Sequence, residues 1–346
     1  MSDIRVGLVG YGVAGAYFHA PFIQATPGLS LAAVVTRDPG RRAEVRDKYG
    51  AVGVDDVREL IGRCDLVVVA SPNRTHVSIA AAAIGEGLPV VVDKPLARTA
   101  EEGRELVRMA KERGVMLTVF QNRRWDGDFL TVRRLVGQGL LGEVRRFESR
   151  FERWRPVPKG GWREAGGPEE VGGLLYDLGS HLVDQALQLL GPVREVYCES
   201  DVRREGVASD DDTFMALTHA GGARSHLWVS SVAARLGPRF RVLGSAGAYV
   251  KHGMDVQEER LRAGVSPDSP GFGEDEEDRW GVLGTEDEHR VVRTEAGAYL
   301  DFYRGVEAAL REGAPPPVDA ESVIEALSVI EAARQSAAQR IVVRLS

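Results

Sequence analysis

The stretch Ile4-Arg5-Val6-Gly7-Leu8-Val9-Gly10-Tyr11-Gly12-Val13-Ala14-Gly15 decides the fold. Its first half is a short apolar run with little alternation, the pattern of a strand buried on both faces. Three glycines follow directly, and a helical pattern opens behind them. A bare G-x-G-x-x-G is a weak signal, but strand before and helix after make it a dinucleotide fingerprint. The first glycine allows a tight turn, the second lets a pyrophosphate approach the backbone, and the third lets helix and strand pack closely. The helix N-terminus then offers free N–H groups to the phosphates. Gly10, Tyr11, Gly12, Val13, Ala14 and Gly15 are therefore the first candidates for cofactor binding.

Outward from this stretch, further apolar runs lie at residues 31–35, 66–70, 89–92 and 116–120, with helical patterns at 76–85 and 100–113 between them. The second of these helices carries Glu101 and Glu102 in its first turn and Lys111 and Arg113 in its last, which suits the helix dipole. Strand, helix, strand at this spacing predicts a doubly wound parallel sheet, a Rossmann domain over 1–122. After Asn122 the pattern changes. Longer β-like segments at 144–154, 195–202, 212–218, 224–232, 239–243 and 248–251 are separated by turns, which predicts an antiparallel sheet. Helices are expected at 128–138, 174–190, 299–311 and 321–339. Residues 123–346 thus form a second, α/β domain on a large, mostly antiparallel sheet. The acid-rich segment 266–288, with Glu274-Asp275-Glu276-Glu277-Asp278, reads as a solvated loop.

The second strand ends at Val35, where an NAD site usually places an acid that bonds the ribose 2′-OH. Here the chain reads Thr36-Arg37-Asp38, followed by Arg41-Arg42. A hydroxyl and guanidinium groups suit a 2′-phosphate, so Thr36, Arg37 and Arg41 favour NADP. NAD stays open through Asp38, which could serve as the ribose acid if the strand runs two residues longer; otherwise Asp38 is a turn residue before Pro39.

Open α/β sheets bind ligands at the C-terminal ends of their strands. Ser71-Pro72-Asn73-Arg74-Thr75-His76 and Val90-Val91-Val92-Asp93-Lys94-Pro95 both fall there. Ser71, Pro72, Asn73, His76, Asp93 and Lys94 are candidates on that ground, against a plain helix cap around Thr75 and a solvated lysine. Pro95 is a candidate for a cis bond. In Tyr176-Asp177-Leu178-Gly179-Ser180-His181, Asp177 and His181 stand four apart, one helical turn. Histidine is the side chain best suited to exchange a proton with a hydroxyl near neutral pH, and a nearby Asp or Lys tunes it. Taken alone, the pair reads more readily as a structural one; Asp184 adds a third polar residue.

The 346 residues, 43% of them hydrophobic, can bury two cores. A net charge of −7 speaks against nucleic acid or an anionic membrane surface as partner. Two separated cysteines, Cys64 and Cys198, give neither a disulfide framework nor metal-ligand spacing. Met1 leads directly into the first strand without a signal peptide, and no apolar run reaches membrane length, so a cytoplasmic protein without metal is expected.

Together, G-Y-G-V-A-G, S-P-N-R-T-H, V-D-K-P and Y-D-L-G-S-H-L-V-D, in this order and spacing, resemble the glucose–fructose oxidoreductase, inositol dehydrogenase and rhizopine catabolism family (Gfo/Idh/MocA) over essentially the whole chain. Asn122-Arg123-Arg124-Trp125-Asp126, residues 147–153 and Gly247-Ala248-Tyr249-Val250-Lys251 are similar to its NADP-dependent scyllo-inositol dehydrogenases. The resemblance implies that Lys94, Asp177 and His181 are catalytic, that Arg123 lies near the substrate, and that Trp162 and Arg163 reach toward the cofactor; Asp184, beside His181, is the second substrate-side candidate. It also implies an open sheet that forms a homodimer or homotetramer. Asp93 departs from the glutamate that many members carry. The expected activity is hydride transfer between a cyclic polyol or sugar hydroxyl and the nicotinamide, with scyllo-inositol and inosose as the narrowest expectation. Another sugar or sugar acid, an NAD-dependent redox glycosidase and a non-catalytic dinucleotide-binding protein are the alternatives.

Overall fold

The computed structural model describes residues 2–158, 160 and 171–345. The chain divides into two compact units. The first comprises Met1–Trp125, Gln257–Phe272 and Ala298–Ile324, the second Asp126–Val256, Gly273–Gly297 and Glu325–Ser346. The first unit therefore includes two segments from the C-terminal half of the chain.

The first unit carries six strands: β1 (Ile4–Val9), β2 (Leu29–Val35), β3 (Val52–Val54), β4 (Leu66–Val69), β5 (Val90–Asp93) and β6 (Leu117–Phe120). They form one parallel sheet in the order β3-β2-β1-β4-β5-β6. Its central strands are apolar and buried along their length, with Leu66, Val67, Val68 and Val69 at 0% exposure, because helices cover both faces. The helix Ala100–Arg113 has the expected bounds. Thr99 caps its start by accepting the Glu102 N–H at 3.1 Å, and Gly114 ends it in the left-handed conformation. β3 was not expected: three residues between turns carry no periodicity to read.

The second unit is built on a nine-stranded sheet. Its members are β7 (Val144–Glu152), β8 (Val193–Asp201), β9 (Asp212–His219), β10 (Arg224–Ser230), β11 (Phe240–Gly244), β12 (Ala248–Lys251), β13 (Gly281–Gly284), β14 (His289–Val292) and β15 (Val343–Arg344). The order is β14-β13-β12-β11-β7-β10-β9-β8-β15. Every pair is antiparallel except β7 with β10. Alternation is clean in β9, where Thr213, Met215, Leu217 and His219 are buried and the residues between them are not. The inward face packs Phe147, Met215, Leu227, Phe240 and Tyr249 with Leu182, Val183, Val329 and Ile330 from two helices. The outward face carries an aromatic group, Phe214, His226 and Trp228, with the Arg150 guanidinium 3.9 Å above the Trp228 ring.

The solvated-loop reading of 266–288 is corrected here. Part of it is β13, in register with β12 and β14. The Asp275 side chain is only 5% exposed: its Oδ2 lies 2.9 Å from Nζ of the fully buried Lys251, and its Oδ1 lies 3.3 Å from Arg279 Nε. An acid inside a charge run is not solvated when a buried cation requires it. No helix among the described residues is long and apolar enough to cross a membrane.

Candidate active site

The fingerprint glycines each meet a different constraint. Gly10 has φ +100°, which an L side chain rarely adopts, and a Cβ there would press on the Ala70 carbonyl. A Cβ on Gly15 would collide with the Gly10 carbonyl oxygen. A Cβ on Gly12 would meet nothing within 4 Å, so this backbone is open to a ligand, as a pyrophosphate cradle requires. Val13 is also exposed. The Tyr11 ring turns inward, and its hydroxyl donates to Glu44 at 3.3 Å. The helix that follows starts as a π-helical stretch, Ala14–His19, before tightening into Ala20–Ala25. Such wide turns recur at functional sites.

β1, β4 and β5 are neighbours in the sheet, so the turns that leave their C-terminal ends lie side by side, at the point where the strand order reverses. After β2 comes Asp38. β2 ends at Val35, and Asp38 caps the helix Pro39–Tyr49 by accepting the Arg41 N–H at 2.9 Å. Asp38 is thus the turn residue. Arg42 is committed within the protein: its Nε donates to the Thr36 carbonyl at 2.8 Å and its Nη2 to Asp55 at 2.5 Å. Thr36 is buried, while Arg37 and Arg41 are exposed.

After β4, Thr75 Oγ1 donates to the Pro72 carbonyl at 2.7 Å and bonds Ser71 Oγ at 2.6 Å. Asn73 opens a single 3₁₀ turn. His76 was expected among the cofactor contacts. It is buried, and its ring nitrogens lie 2.8 Å from the carbonyl oxygens of Pro95 and Ser71. The ring braces the turns after β4 and β5 against each other rather than presenting a nitrogen outward. After β5, Asp93 Oδ1 accepts the Lys94 N–H at 2.8 Å, and the Lys94–Pro95 peptide is cis, as expected. Burial pushes the Asp93 carboxyl up, but His19, His76 and Lys94 outweigh it and hold the group below its usual range. Arg123 is buried, and its Nη2 lies 2.9 Å from Glu258 Oε2. Glu258 carried no signal in the sequence, because it stands 135 positions away.

Asp177, His181 and Asp184 belong to the second unit. The expected single helix 174–190 is two pieces, a π-helical stretch Leu175–Gly179 with Asp177 and an α-helix Ser180–Leu190 with His181 and Asp184. Asp177 is half-buried, His181 is buried, and Asp184, at 2% exposure, is no solvent-facing helix position. Asp210 holds the start of this stretch by accepting the Leu175 N–H at 2.7 Å and the Thr213 hydroxyl at 3.2 Å. Burial raises the Asp210 carboxyl above the ordinary aspartate range despite these donors. Trp162 and Arg163 lie outside the described residues.

An open glycine cradle at the switch point of a parallel sheet, a strand-end lysine and a buried histidine on a separate α/β unit are the marks of a two-domain dinucleotide enzyme. Two family profiles match the chain, "Oxidoreductase family, NAD-binding Rossmann fold" over residues 4–121 and "Oxidoreductase family, C-terminal alpha/beta domain" over 133–345. The chain belongs to the Gfo/Idh/MocA oxidoreductase family. Among Gfo/Idh/MocA relatives, it is 35% identical over 352 residues to scyllo-inositol 2-dehydrogenase (NADP(+)) IolW of Bacillus subtilis, covering 100% of this chain and 97% of that one. It is 41% identical to the uncharacterized oxidoreductase YdgJ of Escherichia coli over 98% of each chain. The solved structure of the Bacillus subtilis oxidoreductase yvaA matches with a TM-score of 0.94 at 34% identity, covering 100% of this chain and 99% of that one. Like these Gfo/Idh/MocA proteins, the chain is an oxidoreductase with an NAD(P)-binding Rossmann domain.

Proposed function

We propose that this oxidoreductase is an NADP(H)-dependent dehydrogenase of a cyclic polyol, interconverting scyllo-inositol and its ketone, inosose. The observation that carries the reading is the full-length similarity to a scyllo-inositol 2-dehydrogenase (NADP(+)). Two features of the chain support it. Asp38 caps the following helix with one carboxylate oxygen, and exposed Arg37 and Arg41 with the Thr36 hydroxyl suit a 2′-phosphate. Arg123, which could otherwise argue for an acidic sugar, has its charge met by Glu258.

When bound, the dinucleotide supplies the hydride chemistry. The turn at Gly10, the open backbone at Gly12 and the helix N-terminus behind them would hold its pyrophosphate, with Ser71, Pro72 and Asn73 beside it. Lys94 polarises the reacting hydroxyl oxygen, His181 takes or returns its proton, and Asp177 orients His181. Arg123 and Asp184 bind the other hydroxyls. The protein is a cytoplasmic homodimer or homotetramer, joined through the sheet face that carries Phe214, His226 and Trp228; sedimentation showing only monomer removes that part.

The test is NADP⁺ and NAD⁺ reduction with scyllo-inositol, myo-inositol, glucose and a uronate. Turnover is expected with scyllo-inositol and NADP⁺. Loss of a phosphate contact of about 1.5–3 kcal/mol should narrow the NADP preference roughly ten- to a hundredfold in Arg37→Ala. Equal affinity for NAD in the wild type would refute the reading of this strand end. Activity confined to the uronate would sink the inositol assignment and leave a sugar-acid dehydrogenase. Activity with glucose alone would shift the substrate toward that of a shorter match, D-glucoside 3-dehydrogenase of Escherichia coli, 32% identical over 194 residues.

A further inference from the structure

The chain places a second histidine, His19, beside the strand-end pair Asp93-Lys94, and neither the motifs nor the proposed reaction uses it. His19 ends the π-helical stretch behind the fingerprint and is completely buried. Its ring lies tilted against Phe120, with centroids 4.5 Å apart. Its Nδ1 is 2.6 Å from the Tyr303 hydroxyl oxygen. Its Nε2 has no hydrogen-bond partner among the described residues and stands 3.9 Å from Asp93 Oδ2.

The protonated nitrogen of this ring follows from its neighbours. Tyr303 is completely buried. Burial, together with the nearby Asp93 charge, pushes its phenol well above the usual range, so it keeps its proton. A buried O–H needs an acceptor, and the acceptor at this hydroxyl is His19 Nδ1. Tyr303 therefore donates, Nδ1 accepts, and the ring proton sits on Nε2, facing the Asp93 carboxylate. The opposite tautomer would strand the phenol proton and point a lone pair at a carboxylate.

Asp93 passes this constraint on. One of its oxygens faces His19, while the other accepts the Lys94 N–H at 2.8 Å. We propose that His19 is a positioning residue for Lys94: Tyr303 sets its tautomer, and its Nε2–H, 3.9 Å from Asp93 Oδ2, biases the Asp93 carboxylate electrostatically toward the orientation that ties down the Lys94 main chain. This rests on Lys94 acting in the reaction as proposed above. The groups acting on Asp93 are His19, His76 and Lys94. They lower the Asp93 carboxyl, so its grip on Lys94 is present above that lowered value and is lost as pH falls through it. Removing the Nε2–H raises the Asp93 carboxyl, and the grip is then lost at a higher pH.

The experiment compares wild type, His19→Asn, which has no donor at the Nε2 position, and His19→Gln, whose amide nitrogen reaches that position without titrating. In His19→Asn, kcat should fall by about tenfold, with NADP affinity unchanged within about twofold. His19→Gln should recover most of the rate, which a merely structural role would not do. Two readouts need no turnover. Nitrogen-15 spectra of histidine-labelled wild type should show His19 protonated at Nε2 and bare at Nδ1, and the Lys94 amide should exchange about tenfold faster in His19→Asn than in wild type. A proton on Nδ1, an unchanged Lys94 exchange rate, or a His19→Asn enzyme with wild-type kcat overturns the proposal. If the wild type oxidises no polyol, the dehydrogenase reading falls, and the tautomer and Lys94 exchange still decide the role of His19.

Discussion

His181→Ala and Lys94→Ala are each expected to lower kcat by roughly 10²–10⁴, the usual worth of a positioned proton-transfer or oxyanion group. Dinucleotide affinity should survive in both, because the glycine cradle depends on backbone conformation at Gly10 and on the space at Gly12 and not on either side chain. The substrate KM should change less than kcat, since these groups interact more strongly with the transition state than with the bound alcohol. NADPH formation at 340 nm (the ordinary absorbance of the reduced ring) measures the first quantity, and titration of dinucleotide fluorescence the second. Turnover retained in His181→Ala would remove that residue from acid–base chemistry; lost dinucleotide binding in Lys94→Ala would make the lysine a cofactor ligand instead.

The largest expected effect on stability lies elsewhere, at the buried pair Lys251–Asp275. The Lys251 ammonium is completely buried, and it is held by Asp275 Oδ2 at 2.9 Å and by the His252 carbonyl at 2.8 Å. Asp275→Ala leaves that charge without its counter-ion, and breaking a buried pair in this way costs about 3–5 kcal/mol. For a unit of this size the midpoint of thermal unfolding should drop by roughly 10 °C. Replacing both partners, Lys251→Met with Asp275→Leu, should recover much of the loss, because the buried ammonium is then gone and only the part-exposed Arg279 loses a counter-ion. Calorimetry of the three proteins checks this, and a fall below about 1 kcal/mol in Asp275→Ala would show that the ammonium finds water or another acceptor.

Asp275 also shows where local reading stops. Within an acid-rich run it is indistinguishable from its neighbours, and its partner lies on β12, a strand read correctly at 248–251 but with no sign that its last residue is a buried cation. The same holds for His19. Its neighbours in Ala16-Tyr17-Phe18-His19-Ala20 say only that it belongs to a helix, while Tyr303 stands 284 positions away. Arg123 was legible as a site candidate, and its neutralisation by Glu258 was not.

What the residues settle locally is considerable. Unalternating Val-rich runs can only be strands covered on both faces, Gly10 has to be glycine where φ reaches +100°, and Thr99 and Gly114 bound their helix by chemistry confined to its two ends. Each of these signals is complete within a few residues, so it is present before the chain folds. β3, β13, β14 and β15 carry no readable period of their own and become strands because a neighbouring strand offers them a ladder. The fate of a charge is equally non-local. Whether an Asp is solvated, caps a helix as Asp38 does, or balances a buried ammonium as Asp275 does depends on which distant segment packs beside it, and the desolvation that makes the difference exists only in the folded state.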